Sequence, residues 1–422
     1  MLTSSKGRLS FAVLVVSQFA ATAGFLFVMP FMPLYVQQLG VEDPGRAAAW
    51  AGLLNTATAG TMALAAPLWG RLADRLGNKP MLLRATLAGS VVVGLMGLVT
   101  SPWQLLFLRL LQGTLTGTVA AATMLVSATA PPGKEGQRLG VLQTVIFTAA
   151  AAGPFVGGTF AGLVGIRASF GVTAALLAVS GFIVLFGVGE AKPSRDASEG
   201  GGNEGTDRPL PRRRLLPFLV ALFVVYVAIT GVIPALPGFL ASFAEEPGRV
   251  ASLAGQIIGA GALAAALGSF VGGRFARRFG TRRSVVCALL LAGLAFLPQA
   301  WVENVGQLWA LRLTSSFFLG AVIPVANLAV RSSVSPKRQG GALGLAASAV
   351  SLAYAVGPLG GGLLAATVGF GAPFLVPGAL LLGASALLLM PPEEGKKRRR
   401  PSPKDRSGPP RKQDLESISV RQ

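Results

Sequence analysis

Apolar residues run along this chain in long blocks separated by short polar breaks. Crossing roughly 30 Å of hydrocarbon at 1.5 Å per residue takes about 20 mostly apolar residues. Blocks of that length lie at 10–37, 48–69, 80–100, 103–127, 138–163 and 168–189, then at 215–241, 250–273, 283–301, 305–330, 340–365 and 371–391. The pattern predicts an all-α integral membrane protein with about twelve transmembrane helices. The blocks are far too long for barrel strands of about ten alternating residues.

Composition agrees. Only 13% of the 422 residues are charged and 52% are hydrophobic, with a mean hydropathy of +0.61. A soluble domain carries about 25% charged residues, so a soluble enzyme is excluded. There is no histidine and only one cysteine, Cys287. That removes Ser-His and Cys-His catalysis, disulfide frameworks and Cys-built metal sites. No cofactor is expected, and no enzymatic activity.

A net charge of +20 would suggest nucleic acid in a soluble protein, but position decides otherwise. With both chain ends cytoplasmic, 32 of the 37 Lys and Arg fall on the cytoplasmic side. That count includes Arg84, taken as part of the loop before the third span. Only Arg46, Arg167 and Arg249 fall outside, while Arg109 and Arg312 fall within spans. The excess is the topogenic charge of a multi-pass membrane protein, and no nucleic-acid partner is expected. Lys6 and Arg8 ahead of an apolar run mimic a signal peptide, but that run continues to Val36 and reads as a first span.

The chain also repeats itself at an offset of about 203 residues. Gly70-Arg71-Leu72-Ala73-Asp74-Arg75-Leu76-Gly77 aligns with Gly273-Arg274-Phe275-Ala276-Arg277-Arg278-Phe279-Gly280. Arg109 falls on Arg312, Met29-Pro30 on Ile233-Pro234, and Gly153-Pro154 and Gly157 on Gly357-Pro358 and Gly361. The organisation read from this is a six-helix bundle over 1–189, a polar linker over 190–214, a second bundle over 215–391 and a basic tail over 392–422. Two halves joined by a strap suit alternating access, in which one half rocks against the other.

These motifs resemble the major facilitator superfamily, in its twelve-span drug:proton antiporter branch of bacterial multidrug-resistance transporters. The resemblance covers roughly residues 10 to 391, and the end of the first span, Met29-Pro30-Phe31-Met32-Pro33-Leu34-Tyr35-Val36, shares in it. Gly70 to Lys79 resembles the family's G-x-L-A-D-R-x-G-R-K loop. The resemblance implies a conformational latch built on Gly70, Asp74, Arg75 and Gly77; the plainer reading is a topogenic basic loop. Asn78 departs from the usual basic residue, and Arg277 stands where the second half would need the acid. Arg109, Gln112 and Gly113 in the fourth span match a motif associated with proton transfer; the plainer reading is a structural arginine bonded to carbonyls or reaching the interface. Gly140, Gly153, Pro154, Gly157 and Gly158 in the fifth span resemble the antiporter signature, with Ala149 replacing one family glycine.

No carboxylate sits in mid-span. A cationic drug would find no buried counter-charge, so neutral or anionic amphiphiles are the expected substrates. Proton coupling must then run through Asp74, through water and Arg109, or on the substrate itself. On the helices that the resemblance implies face the cavity, its polarity is expected from Gln18, Phe25, Asn55, Gln112, Gln143, Tyr226, Gln256, Asn327 and Tyr354, with Phe31 as a further ring able to face a cation. Each could instead make an interhelical hydrogen bond. The expected protein is a monomeric, proton-coupled exporter of small amphiphilic compounds in the bacterial inner membrane. A facilitator or importer on the same fold and a non-transporting membrane sensor stay open at this point.

Overall fold

The computed structural model describes residues 2–131, 133–188, 212–243 and 246–390. Among them the secondary structure is helical and contains no strand, as it must be where lipid offers no partner for a free backbone group. The first half comprises α1 (Leu2–Phe27), α2 (Met32–Gln38), α3 (Pro44–Leu76), α4 (Asn78–Met96), α5 (Pro102–Leu115), α6 (Thr118–Thr129), α7 (Glu135–Val164) and α8 (Ile166–Gly187). The second comprises α9 (Arg212–Gly231), α10 (Leu236–Ala241), α11 (Val250–Phe279), α12 (Thr281–Phe296), α13 (Val305–Ser332), α14 (Gln339–Thr367) and α15 (Ala372–Leu389). All belong to one compact unit, Met1–Leu389. The expected linker lies outside the described residues up to Arg212, and the basic tail lies wholly outside them.

Eleven helical segments are long and apolar enough to cross a membrane. The twelfth crossing is α3, which has the length at 33 residues but carries Asn55, Thr56, Thr58 and Thr61 along it. Helices start where the sequence supplies a cap. Asp43 accepts a 2.7 Å hydrogen bond from the Arg46 amide, and Asn304 accepts one of 2.9 Å from Gln307. Pro44 and Pro102 occupy first turns, where a missing N–H costs nothing. Helices stop at glycine: Gly77 (φ 90°) and the repeat-related Gly280 (φ 87°) turn the chain from α3 into α4 and from α11 into α12.

Asp43, Ser101 and Asn304 mark one face of the molecule, termed distal; Gly77, Gly280, the start of α1 and the end of α15 mark the proximal face. The doubled prolines have the effect their spacing implies. The first span breaks after Phe27 into a 3-10 turn, Met29–Phe31, and α2; the seventh breaks after Gly231 into a turn and α10. Each half has its own apolar core, one around Leu54, Met96 and Phe170 and the other around Leu222, Phe296 and Phe374.

Three features differ from the pattern-based expectation. The fourth span is not one helix over 103–127: it breaks between α5 and α6 at Thr116 and Gly117, whose φ of 130° only glycine adopts readily. Arg84 is not in a loop. Because α4 begins directly after Gly77, Arg84 stands in its second turn, with its guanidinium carbon 3.5 Å from the centre of the Trp69 ring. Phe31 is fully buried and meets Phe170 edge-on with ring centroids 6.4 Å apart, so it faces no cavity.

Candidate functional site

The two halves meet along two seams, α3 on α14 and α7 on α11. Small residues make both. Gly255 of α11 lies against the carbonyl of Pro154 in α7, and its repeat partner Gly52 of α3 lies against the carbonyl of Pro358 in α14. A Cβ placed at Gly158 would stand 2.5 Å from the Ala251 carbonyl and 2.7 Å from Gly255 Cα. At Gly362 it would strike the Ala48 carbonyl and lie 3.0 Å from Ala49 Cα. Backbones approach this closely only where side chains are absent.

Gly153 and Gly157 face the other way, onto α1. A Cβ at Gly153 would sit 2.6 Å from the Ala23 carbonyl, and one at Gly157 would strike that of Phe27. Gly361 stands in the same relation to Gly231. Phe27 and Gly231 are the last residues of α1 and α9, so these glycines cover the broken ends of the first and seventh spans.

The seams do not run the whole depth. Between α3 and α14 the most proximal hydrogen bond, 2.5 Å, is donated by Thr56 Oγ1 to the Ala355 carbonyl. Between α7 and α11 the most proximal glycine contact is Gly259 against Ala151 and Phe155. Beyond those points Gly136, Gly140, Gly340 and Gly344 have nothing within 4 Å of a Cβ position, and Leu64, Phe147, Leu267 and Phe270 are exposed. The halves are therefore closed distally and parted proximally, leaving a vestibule whose apex lies near Ala355. Gly140 is thus separated in role from Gly153, Pro154, Gly157 and Gly158, which pack.

Arg109 is buried at 6% exposure. Its Nη1 donates to Gln112 Oε1 at 3.1 Å, its Nη2 approaches Met32 Sδ at 3.5 Å, and its Nε has no partner. Gly113 lets α5 close on α3, where Thr58 Oγ1 reaches the Arg109 carbonyl at 3.2 Å. Arg312 is buried to the same 6% but faces the Phe296 ring at 5.4 Å, with Nη1 unpartnered. At the proximal end, Gly77 makes the turn, Gly70 has open space, and Asp74 and Arg75 are exposed with no hydrogen bond or ion pair among the described residues.

The nine polar and aromatic candidates are not gathered in one place. Gln18, 1% exposed, is enclosed in the first half, its Nε2 on Thr22 Oγ1 at 2.9 Å. Asn55 and Gln112 are buried, and half-buried Phe25 packs at Gly89. Gln256 donates to Ser252 and Asn327 to the Ile323 carbonyl, both within their own helices. Gln143 is exposed on α7. Tyr226 of α9 and Tyr354 of α14 come together, ring centroids 5.5 Å apart.

Comparison with known proteins bears on this arrangement. The Major Facilitator Superfamily family model matches residues 14–244 and 218–421. This chain belongs to that superfamily. Within it, the chain is 32% identical over 364 residues to the multidrug resistance protein MdtG of Proteus mirabilis, covering 86% of this chain and 90% of that one. To MdtG of Escherichia coli it is 33% identical over 365 residues, with the same coverage. Among solved structures it is similar to the human organic anion transporter MFSD10 (TM-score 0.63, 21% identity, 90% of this chain and 99% of that one). It is also similar to a bacterial homolog of the human lysosomal transporter Spinster, inward-facing and occupied (TM-score 0.68, 16% identity, 92% and 96%). These two show the fold.

The superfamily's repeat explains why the seams match so closely. It does not explain what is present on one side only: the Gly117 break, Arg84 over Trp69, and the Trp69 Nε1 hydrogen bond to the Thr114 carbonyl at 2.6 Å. Only the Thr116-Gly117 pair carries a sequence signal, a β-branched residue and a glycine in mid-block.

Proposed function

We propose that this protein is a secondary active exporter of small amphiphilic compounds, working by alternating access as a monomer and driven by the proton gradient. Both chain ends are cytoplasmic, so the parted proximal face opens inward and the structure is the inward-facing state. The observation that carries the reading is the pair of repeat-related glycine seams, shut at one end and open at the other around a central vestibule. Two like-built contacts of this kind form a fulcrum on which two halves can rock. The relatives at 32% and 33% identity are named for multidrug resistance, which supports export and a drug-like substrate class.

The latch loop fits this state. Asp74 and Arg75 are free where the proximal face is open, and closing that face brings α3 toward the second half. Asp74 then meets a helix end whose positive N-terminal dipole favours a carboxylate. Lacking a carboxylate in mid-span, the protein moves its proton by way of Asp74, Arg109 with its water, or the substrate. Arg109 holds Gln112 and Met32 together across two spans, so a change in its contacts is felt in both. The test is uptake of a fluorescent amphiphile into inside-out proteoliposomes under an imposed pH gradient, with and without a protonophore. Accumulation abolished by the protonophore is expected. Equilibration unaffected by it would make the protein a facilitator.

A further inference from the structure

The chain has three tyrosines, and two of them are treated differently from the third. Tyr35 is fully buried and its hydroxyl donates to the Met96 carbonyl at 2.6 Å. A buried tyrosine hydroxyl ordinarily finds such a partner. Tyr226 is half-buried and Tyr354 is 43% exposed. Their rings meet at 5.5 Å with an interplanar angle of 48°. Neither hydroxyl has a hydrogen-bond partner among the described residues.

Their position is specific. Tyr354 directly precedes Ala355, whose carbonyl takes the Thr56 hydrogen bond that ends the α3–α14 seam. The pair therefore stands near the level of that hydrogen bond, about half-way along α14 and three-quarters of the way along α9. The repeat does not require it, since the corresponding residues of the first half are Thr22 and Ala150. Two partly exposed rings with free hydroxyls make a surface that can stack a planar group and donate hydrogen bonds to it. No described carboxylate lies in mid-span, and the charges buried within the spans are the guanidinium groups of Arg109 and Arg312, each about a quarter of the way from the distal end.

We propose that Tyr226 and Tyr354 form an aromatic subsite for planar compounds that carry a hydrogen-bond acceptor, neutral or anionic, such as a ring carbonyl or carboxylate. The subsite rests on the export reading for its purpose but not for its test. The rings supply stacking area, and the hydroxyls distinguish an acceptor-bearing ligand from an unsubstituted one. A cation gains less here, because each ring turns part of its face to the other and no acid stands near.

Binding to the purified full-length protein in nanodiscs is measured with three fluorescent probes: Nile red (planar, neutral, with a ring carbonyl), pyrene (planar, without an acceptor) and ethidium (planar, cationic). Wild type should bind Nile red most tightly. Tyr226→Phe/Tyr354→Phe keeps both rings and should weaken Nile red by about 3- to 10-fold, leaving pyrene unchanged and the melting temperature within a few degrees. Tyr354→Leu should weaken both. Three results overturn the proposal: no saturable Nile red binding by wild type, unchanged Nile red binding in the double Phe variant, or ethidium binding tightest. Binding without gradient-driven transport would instead overturn export and leave the subsite standing.

Discussion

Adding one methyl group at Gly158 should shift the balance between the two faces of the protein. The Cβ of Gly158→Ala would stand 2.7 Å from Gly255 Cα and 2.5 Å from the Ala251 carbonyl. Carbon atoms rest about 3.5–4.0 Å apart, so α7 and α11 must separate by about 1 Å, and the obstacle is backbone, which cannot rotate away. Overpacking of this kind costs about 1–3 kcal/mol. Alanine also raises helix propensity by up to about 1 kcal/mol, but it does so in both conformations and cancels from their ratio. The distally closed state should lose roughly 5- to 150-fold in population relative to the distally open one. Gly362→Ala, at the repeat-related position, should act likewise, and the double variant should be close to additive because the seams share no partners.

Gly140→Ala is the opposing control. Its Cβ meets nothing within 4 Å in this state. The α7–α11 register pairs 158 with 251 and 151 with 259; continued proximally, it sets 140 against 270. Closing the proximal face therefore seats Phe270 at Gly140, and a methyl group there should favour the present state. The assay is pulsed dipolar spectroscopy between spin labels at Gln38 and Val368, on opposite halves of the distal face, with Cys287 replaced by alanine. A longer distance is expected for Gly158→Ala and Gly362→Ala, and none for Gly140→Ala. Unchanged distances in both seam variants would show that these glycines do not set the equilibrium.

Asp74→Asn should impair gradient-driven transport in proteoliposomes without reducing membrane insertion, since it removes a contact made only when the proximal face closes; full activity would remove the latch from the account. Arg109→Ala should abolish transport, and Arg109→Lys should not restore it, because a compact ammonium lacks the planar fork whose separate Nη1 and Nη2 reach Gln112 and Met32. Initial rates of the two variants against wild type decide this. Gly117→Ala should cost about 1–2 kcal/mol, the penalty for a side chain in a left-handed backbone, read as a lower melting temperature; an unchanged melting curve would mean the fourth span can rejoin.

The all-helical membrane fold and the pairing of motifs between halves were legible because hydrocarbon imposes a length and a polarity on every span, and duplication repeats both. The seams were half-legible. Gly153, Pro154, Gly157 and Gly158 announce close packing, but the partner of each depends on which way it faces, and a one-residue step on α7 moves it from α1 at Gly157 to α11 at Gly158. Gln18 was expected at the cavity from residue type and from the helices that line it in the resembled family, and Phe31 as a ring able to face a cation, yet neither type nor helix carries azimuth: Gln18 faces Thr22 and Thr118, and Phe31 faces Phe170. Arg84 was assigned by its distance from an apolar block, whereas Gly77 lets the helix begin earlier and carries that charge inside it. The tyrosine pair joins residues 128 positions apart, on packed helices distant in sequence, a relation no local pattern contains.

What the repeat shares and what it does not share divide along mechanical lines. Shared between halves are the broken first and seventh spans, the Gly77 and Gly280 turns, and the two seams, in which Gly52 on Pro358 matches Gly255 on Pro154. A rocking motion needs two like-built bearings, since unequal ones would twist as they turned. Unshared are Asp74 against Arg277, the Gly117 break against the continuous α13, and Tyr226 with Tyr354 against Thr22 and Ala150. In α13 the proline Pro324 removes one backbone donor, and Ser269 Oγ satisfies the Gly320 carbonyl at 2.8 Å, so the helix stays whole where its counterpart parts. Each difference is carried by one half alone: the acid at the end of α3, the break in one span, and the two rings. A ligand held against one wall would couple to the rocking of the halves, because its contacts to the opposite wall would change while those to its own wall persist.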